Sequence, residues 1–229
     1  MIAARLAAVR EQIARAAARV GRRAEDVTLV GVSKSQPAEA VRAAHVAGLV
    51  DLGENRVQEA ETKLLATADL RGRVRWHLIG HLQKNKARKA AELFDCVHAL
   101  DGEELARKLA AAASELGRTL SVLVQVDLAG EATKHGCPEA ELFQLLEAVR
   151  DLPALRADGL MILPPLAEDP EQSRPWFRRL RELRDAAQAR GLLAGAQLSM
   201  GMSHDFGVAV EEGATLVRVG TAIFGERQP

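Results

Sequence analysis

VTLVGVSKSQPAEAVRAAHVAGLVDLG, residues 27–53, contains the pattern that most clearly indicates the fold of this chain. The stretch opens with a run rich in valine and leucine, which is typical of a strand buried on both faces. Pro37 then stands where prolines favour the first turn of a helix, and Gly48 stands where a glycine commonly follows a helix end. A second apolar run follows at residues 49–53. The stretch therefore predicts a strand–helix–strand unit with parallel strands.

The same alternation continues along the rest of the chain. Gly117, Gly191 and Gly213 close three later helical patterns in the way that Gly48 closes the first. Apolar runs predict strands at residues 27–33, 49–53, 74–79, 94–99, 121–127, 157–163, 195–200 and 215–220. Eight strands alternating with helices in 229 residues predict an α/β protein with a single (β/α)8 TIM-type barrel. The alternative is a doubly wound open sheet, but no GxGxxG motif follows a predicted strand.

Residues 1–21 add one element before the first strand. Alanine, leucine, isoleucine and valine recur there at helical spacing, which predicts an extra amphipathic helix that packs on the barrel. Arg5, Arg10 and Arg15 interrupt the segment, so it fits neither a signal peptide nor a membrane span. No linker or low-complexity tract interrupts the chain, so we expect residues 1–229 to form one barrel domain.

Charge and cysteine usage limit the classes of function. The 31 basic and 31 acidic side chains give zero net charge, which argues against nucleic-acid binding. A local basic cluster, formed by Lys84, Lys86, Arg88 and Lys89, is typical of a solvated helix start. Two cysteines without metal-ligand spacing indicate reduced thiols in a cytoplasmic protein. His77 and His81 are separated by a predicted strand-to-loop transition, so we predict no metal site.

Lys34 is the first candidate for chemistry because it directly follows the first predicted strand. In (β/α)8 barrels the working face lies at the carboxyl ends of the strands. A lysine at this position is partly desolvated, and desolvation disfavours the charged form of an amine. A neutral amine can attack an aldehyde and form an imine. The alternative is a lysine that only caps the strand end in solvent.

The last two predicted strand ends carry small residues that suit a phosphate. Gly220 lets an anion approach the backbone, and Thr221 offers a hydroxyl at the start of a short helix. The LSMGMS segment supplies Ser199, Gly201 and Ser203 at the neighbouring strand end. Small residues often only form turns, but a phosphate site after the last two strands recurs in this barrel. Together these residues predict a phosphate site.

Arg218 and Asn55 are expected at the same end of the barrel. Strand alternation places Arg218 on the side of Gly220, toward the interior, where an unpaired charge is costly. Arg218 could form an internal salt bridge, or it could donate to a ligand nitrogen or oxygen. Because arginine keeps its proton, it would donate a hydrogen bond to a ligand ring nitrogen, such as that of a pyridine, and leave this nitrogen unprotonated. Asn55 follows the second strand and could orient a ring hydroxyl or a phosphate, or cap a helix.

Six segments together resemble one known family. They are VGVSKSQP, GENRVQEAETK, WHLIGHLQKNKARK, EATKHG, GLMILPP and LSMGMSHDF…VRVGTAIFGER. In this order, over about residues 27–227, they resemble the pyridoxal-phosphate homeostasis protein family, the YggS/PROSC-like group, which is similar to the N-terminal barrel of alanine racemase. The resemblance implies a protein that holds pyridoxal 5′-phosphate (PLP) as an internal aldimine, a Schiff base, and that serves intracellular PLP homeostasis.

The resemblance also implies the residues of the cofactor site. Lys34 would be the Schiff-base lysine, and Arg218 would lie near the pyridine nitrogen. The residues that would surround the cofactor and its phosphate are Asn55, Ser199, Gly220 and Thr221. Lys134 in EATKHG would be a second functional lysine, one that handles PLP in transit, whereas its position alone favours a solvated loop lysine.

Catalytic turnover in such a protein would depend on a second base. A racemase of the alanine racemase type pairs the cofactor lysine with a tyrosine from a C-terminal β-domain, but this chain has no tyrosine and its 229 residues leave no room for that domain. An arginine beside the ring nitrogen also disfavours a quinonoid. We therefore expect little or no turnover and no catalytic residue. The alternatives are a PLP-dependent amino-acid racemase or related enzyme, and a class I aldolase-like barrel acting on a phosphorylated sugar.

The expected partners follow from the same resemblance. They are PLP itself and the PLP-dependent apo-enzymes that could accept it, with neither nucleic acid nor membrane. Lack of the second racemase domain favours a monomer, because that domain is one way of completing such a site.

Overall fold

The computed structural model, which describes residues 1–130 and 135–226, contains a parallel sheet that closes into a barrel. Its eight barrel strands are β1 (Thr28–Val32), β2 (Asp51–Glu54), β3 (Arg75–Leu78), β4 (Cys96–Leu100), β5 (Leu120–Asp127), β7 (Leu155–Met161), β8 (Gln197–Ser199) and β9 (Leu216–Val219). Neighbours in the chain pair in order, and β9 pairs with β1 to close the ring. The predicted TIM-type barrel is thereby confirmed, and the open doubly wound sheet is wrong. A two-residue strand, β6 (Cys137–Pro138), adds to the end of β5.

A helix follows each barrel strand and covers the outside of the sheet. These helices are α2 (Ala38–Val46), α3 (Val57–Ala66), α4 (Ala87–Leu93), α5 (Glu103–Glu115), α6 (Leu142–Arg150), α7 (Arg174–Ala189), α8 (Phe206–Glu211) and α9 (Thr221–Phe224). Pro37 directly precedes α2, and Gly48 follows it with a φ of +86°, a left-handed conformation that glycine adopts without steric cost. The proline and the glycine therefore mark the two ends of α2, as the sequence predicts.

The N-terminal helix, α1 (Ile2–Arg19), packs against α2, α8 and α9. Leu6, Val9 and Ile13 lie on its buried face at helical spacing, as an amphipathic helix requires. Arg10 donates a hydrogen bond of 2.7 Å to the carbonyl of Gly48, which fixes the helix against the end of α2. Within the described ranges, no helix has both the length and the apolar character needed to cross a bilayer.

The core has two parts, separated by the strands. The larger part lies between the sheet and the helices and contains most of the buried aliphatic side chains. The smaller part fills the inside of the barrel, with Val30, Cys96, Ala99, Leu123, Met161 and Leu216. Polar side chains are also buried inside the barrel, among them His77, His98, Ser199 and Arg218. Buried polar groups need hydrogen-bond partners, so a cluster of four such residues inside the barrel indicates a functional site there.

Candidate cofactor site at the barrel mouth

The predicted site residues lie along one arc of the barrel mouth. Lys34 follows β1, Asn55 follows β2, Ser199 ends β8 and Gly220 follows β9. In the closed sheet these strands are adjacent in the order β2, β1, β9 and β8. The parallel register pairs Val30 of β1 with Arg218 of β9, so their carboxyl ends meet at one side. Residues that are distant in sequence are thereby brought to one end of the barrel.

The backbone on both sides of Lys34 is held in place. Ser35 adopts a φ of +60°, which is uncommon for a residue other than glycine and costs about 1 kcal/mol or more. Its N–H donates to the carboxylate of Glu59, and the carbonyl of Ser33 accepts a hydrogen bond from Lys63. Such strain persists only where neighbouring contacts determine the conformation, and it concentrates at functional sites. The half-buried Lys34 therefore projects from a fixed turn.

A buried ion pair lies directly behind this turn. Glu54 is fully buried at the end of β2, and its Oε1 accepts hydrogen bonds from Ser33 Oγ at 2.6 Å and Lys63 Nζ at 2.5 Å. Burial raises the pKa of Glu54, and the hydrogen bonds from Lys63 and Ser33 only partly offset it. Its second oxygen, Oε2, has no hydrogen-bond partner among the described residues. Unpartnered buried oxygens are rare in folded proteins, so this atom is an unusual feature of the region behind the Lys34 turn.

Asn55 lines a pocket of about 420 Å³ with His81 and Lys86. Its backbone is in close contact with the loop after β3. A Cβ atom placed on Gly80 would lie 2.5 Å from the carbonyl oxygen of Asn55, a distance that real Cβ contacts do not show. Only glycine fits at position 80, and this contact fixes the position of Asn55.

Arg218 is a buried cation whose protein partners are neutral. Arg218 is 3% exposed, and its guanidinium donates to Ser199 Oγ at 2.5 Å and to the carbonyl of Ile162 at 2.9 Å. Burial lowers the pKa of Arg218 to about 10, although the more distant Asp205 acts in the opposite direction. No carboxylate among residues 1–130 and 135–226 forms a salt bridge with it, so an internal salt bridge does not explain this arginine. Burying a cation without an anion is costly, which points to a ligand that accepts from it.

A chain of hydrogen bonds runs from Arg218 through the inside of the barrel. Ser199 Oγ lies 2.8 Å from His98 Nδ1, His98 Nε2 lies 2.9 Å from His77 Nδ1, and His77 Nε2 lies 2.9 Å from Asp51 Oδ1. Burial lowers the pKa of His98 well below its usual value, and the positive charge of Arg218 acts in the same direction, so its ring is neutral. Because an ionised carboxylate can only accept, one order of donation satisfies the chain: arginine to serine, serine to His98, His98 to His77, and His77 to Asp51.

The far end of this chain lies at the opposite rim of the barrel. Asp51 begins β2 and forms two 2.8 Å hydrogen bonds with Arg75, whose side chain is exposed. Burial would raise the pKa of Asp51, but the hydrogen bonds from His77 and Arg75 outweigh it and the net shift is downward. The charged carboxylate thus anchors a hydrogen-bonded chain that ends at the Arg218 guanidinium.

The predicted phosphate residues are divided between two environments. Gly220 donates its N–H to Ser203 Oγ at 3.2 Å, and Thr221 is exposed at the start of α9. These groups have weak or solvent partners that an anion could replace. Ser199, in contrast, is fully buried, and its hydroxyl already contacts both Arg218 and His98. The structure therefore places Ser199 behind the arginine, in position to orient it.

Two sets of residues around this site were missed in the sequence. Glu59 and Lys63 lie four apart on α3, a spacing that indicates a pair on one helix face but does not reveal that both contact the Lys34 turn. His77 and His98 occupy inward positions of β3 and β4, and only the strand register shows that they meet. Lys134, the predicted second lysine, lies outside the described residues.

Comparisons with known proteins identify the family to which this chain belongs. The family model for the alanine racemase N-terminal domain matches residues 4–228. The pyridoxal phosphate homeostasis protein of Aquifex aeolicus is 45% identical over 224 residues, which cover 98% of this chain and 97% of the relative. The protein of that name from Pseudomonas aeruginosa is 46% identical over 228 residues, covering 99% of this chain and 96% of the relative.

Solved structures support the same assignment. PipY from Synechococcus elongatus, solved with PLP bound, has a TM-score of 0.88 and 40% identity, and the match covers 98% of this chain and all 100% of PipY. Alanine racemase from Streptomyces coelicolor has a TM-score of 0.70 and 23% identity, covering 95% of this chain and 58% of the racemase; this likeness shows the fold alone. The chain belongs to the alanine racemase N-terminal domain family and, within it, to the pyridoxal phosphate homeostasis proteins.

Proposed function

We propose that this chain is a cytoplasmic PLP-binding protein that holds the cofactor on Lys34 and serves PLP homeostasis without substantial turnover. The observation that carries the proposal is the buried Arg218, a cation whose partners within residues 1–130 and 135–226 are all neutral, at the strand end beside the Lys34 turn. The names of the relatives, and the PLP bound in the PipY structure, support PLP as the ligand.

The residues present fit this cofactor group by group. When bound, PLP supplies an aldehyde that condenses with a lysine amine, together with a ring nitrogen and a phosphate. The Lys34 amine would take the aldehyde, and the Arg218 guanidinium, which has more N–H groups than its two protein bonds use, would donate to the ring nitrogen. Gly220 and Thr221 would bind the phosphate, and Asn55 would lie against the ring.

The same residues favour storage over turnover. Arg218 keeps its proton because its pKa, even when lowered to about 10, stays above neutral pH. A ring nitrogen facing this guanidinium stays unprotonated and draws electrons from a bound amine more weakly than one facing a carboxylate. The chain also contains no tyrosine that could serve as a second base. Both features lower the expected rate of proton removal from an amino acid.

The attachment site is tested by reduction and mass spectrometry. PLP-loaded protein is treated with borohydride, digested, and searched for a pyridoxyl group. We expect the group on Lys34, and we expect Lys34→Ala to lose both the group and the absorbance of the bound cofactor while keeping its circular dichroism. Lys84→Ala is the matched control, because Lys84 is an exposed lysine paired with Glu104. Modification of another lysine in wild-type protein would overturn the assignment.

Turnover is tested separately. The PLP-loaded protein is incubated with L- and D-amino acids, and substrate and product are followed by chiral chromatography. We expect little or no conversion. Sustained conversion at ordinary enzyme rates, about 1 per second or faster, would contradict the storage function and favour a racemase or a related enzyme.

PLP-dependent apo-enzymes are the acceptors that we propose, and a monomer is the proposed working state. Transfer is measured by mixing PLP-loaded protein with an apo-enzyme and following recovery of that enzyme's activity. Lys134→Ala is expected to keep the linkage on Lys34 but to slow this transfer. Sedimentation equilibrium, with and without PLP, measures the assembly state.

A further inference from the structure

Three side chains of metal-ligand type meet at the mouth over β3, β4 and β5. His81 lies in the loop after β3, Asp101 directly follows β4, and His135 directly precedes Gly136 and β6. One ligand atom from each side chain lies within 4.8 Å of the other two. None of the three is among the residues proposed above to bind PLP. The cluster therefore needs an explanation of its own.

The closest pair of ligand atoms in the cluster has the separation that a metal site requires. His81 Nδ1 lies 3.2 Å from Asp101 Oδ2. Two ligands of a tetrahedral zinc ion, each about 2.0–2.1 Å from the metal, are separated by about 3.3 Å. The rings of His81 and His135 are stacked, with their centroids 3.6 Å apart and their planes at 11°. The ligand atoms of both rings lie near the Asp101 carboxylate. Because the lone pairs of stacked imidazoles run nearly parallel, one ring has to rotate out of the stack before both nitrogens can bind one ion.

The cluster is both anchored and accessible. The backbone carbonyl of His135 accepts a hydrogen bond from the side chain of Gln125, a buried residue of β5. Asp101 is held at the end of β4 and is 20% exposed, and His81 is 37% exposed. Asp101 thus comes from a strand end, the backbone of His135 is tied to β5, and an ion can reach the cluster from solvent.

We propose that His81, Asp101 and His135 bind a divalent transition-metal ion of the zinc class. Two imidazoles and one carboxylate form a donor set that suits zinc, cobalt and nickel, whereas calcium and magnesium prefer oxygen ligands alone. Three protein ligands leave a coordination position open to water or to a small anionic ligand. The site joins the loops after three consecutive strands, on the part of the mouth beside the Asn55 pocket, which His81 also lines.

A second group of metal-ligand side chains, His77, Cys96 and His98, is less suited to an ion. The two histidines already bond to each other and to Asp51 and Ser199 inside the barrel. Burial also raises the pKa of the Cys96 thiol to about 12, so the thiol stays protonated. The spacing of His77 and His81 along the chain predicts no metal site. His77 does point into the barrel, but His81 finds its partners on two other loops, which spacing along the chain does not show.

Zinc and cobalt binding test the proposal. Purified protein is dialysed against a chelator and titrated with Zn²⁺ by calorimetry, and with Co²⁺ by visible absorption, which reports the ligand geometry. We expect one site per chain, and we expect His81→Ala, Asp101→Asn and His135→Ala each to weaken binding by about tenfold or more. His204→Ala, which removes an exposed histidine elsewhere, and Cys96→Ser, which removes the thiol of the second group, are expected to bind as wild type does.

Thermal unfolding gives a readout that does not depend on PLP. An ion bound only to the folded chain raises its stability in proportion to the logarithm of the ion concentration. We expect Zn²⁺ to raise the melting temperature of the wild type and of Cys96→Ser, but not of Asp101→Asn, which keeps the shape of the side chain and loses its charge. Equal zinc binding by wild type and all three ligand variants would overturn the proposal, as would loss of binding in Cys96→Ser alone. Failure of PLP to bind Lys34 would leave this result unaffected.

Discussion

Ser199 joins two buried groups that need a hydrogen-bond partner. Its hydroxyl accepts from Arg218 and donates to His98, and neither group can reach solvent. Ser199→Ala would leave both without that partner, so we expect the free energy of unfolding to fall by about 1–3 kcal/mol and PLP to bind more weakly. Urea unfolding and a PLP titration measure the two effects. Ser114→Ala, at an exposed position of α5, is the control and should change stability by about 0.5 kcal/mol or less.

His98 gives the protein a pH dependence of known sign. Its pKa is well below 6.5 in the folded state, mainly because of burial, whereas the unfolded chain takes up a proton below about pH 6.5. The unfolded state then binds more protons, so stability falls on acidification, by up to about 1.4 kcal/mol per pH unit. The lowered pKa of Asp51 acts in the same direction, but only below its ordinary value of 3.8.

Substitution of His98 separates these contributions. Urea unfolding between about pH 7 and about pH 5 should show a smaller loss of stability for His98→Asn than for the wild type, since the variant has no ring to protonate. His45→Asn, at a half-buried position of α2, serves as the comparison and should keep the wild-type slope. Identical slopes for His98→Asn and wild type would show that His98 is not held neutral.

For individual residues, the sequence could predict which side chains lie at the end of a strand. Lys34, Asn55 and Gly220 follow apolar runs, and strand ends of a parallel barrel meet at one side. Contacts across the barrel could not be predicted, because they depend on the register of strands that are far apart in the chain. The path from Arg218 to Asp51 joins side chains of five strands in this way.

Among the secondary-structure elements, the strands were the easiest to predict, because burial on both faces makes each one an apolar run. All eight predicted strands exist, but the run at 195–200 contributes only Gln197–Ser199, since Gly195 lies against the backbone of Asp158 outside the strand. Glu54, the residue after the apolar run at 49–53, is the last residue of β2. The short β6 carries no apolar run and includes a proline, so periodicity could not reveal it.

The loop after β3 provides a test of element packing. Gly80→Ala would force its Cβ against the Asn55 backbone, so we expect a loss of about 1–3 kcal/mol and weaker PLP binding. The same substitution at Gly207, where a Cβ would meet open space inside α8, should leave stability unchanged or raise it by up to about 1 kcal/mol. Urea unfolding compares the two variants, and a destabilised Gly207→Ala with an unaffected Gly80→Ala would contradict the packing argument.

The N-terminal helix contributes to the stability of the whole barrel. Ile13 is 3% exposed in the layer between α1 and the barrel helices, so Ile13→Ala should lower the free energy of unfolding by about 2–5 kcal/mol. Ala14→Ser, one residue along on the exposed face, should change it by about 0.5 kcal/mol or less. Chemical denaturation measures both. Equal effects would show that α1 does not pack as described.

On the scale of the whole molecule, the two proposed sites occupy different halves of one mouth. The PLP residues follow β8, β9, β1 and β2, which include the seam where the first and last barrel strands pair. The metal ligands follow β3 and β4 and lie beyond the end of β5. A ligand at the seam connects segments from opposite ends of the chain, so its binding energy opposes opening of the barrel there.

Hydrogen exchange can locate this effect. We expect PLP to slow amide exchange most in β9 and β1, because opening of the seam would separate Arg218 from the turn that carries Lys34. The strands β4 and β5 pair on the other side of the barrel and should gain less protection from PLP, whereas Zn²⁺ should protect the loops after them. Lys34→Ala incubated with PLP is the control and should lose most of the added seam protection. Protection spread evenly over all eight strands would indicate that PLP stabilises the barrel as one cooperative unit, and the seam would then have no special part in holding the cofactor.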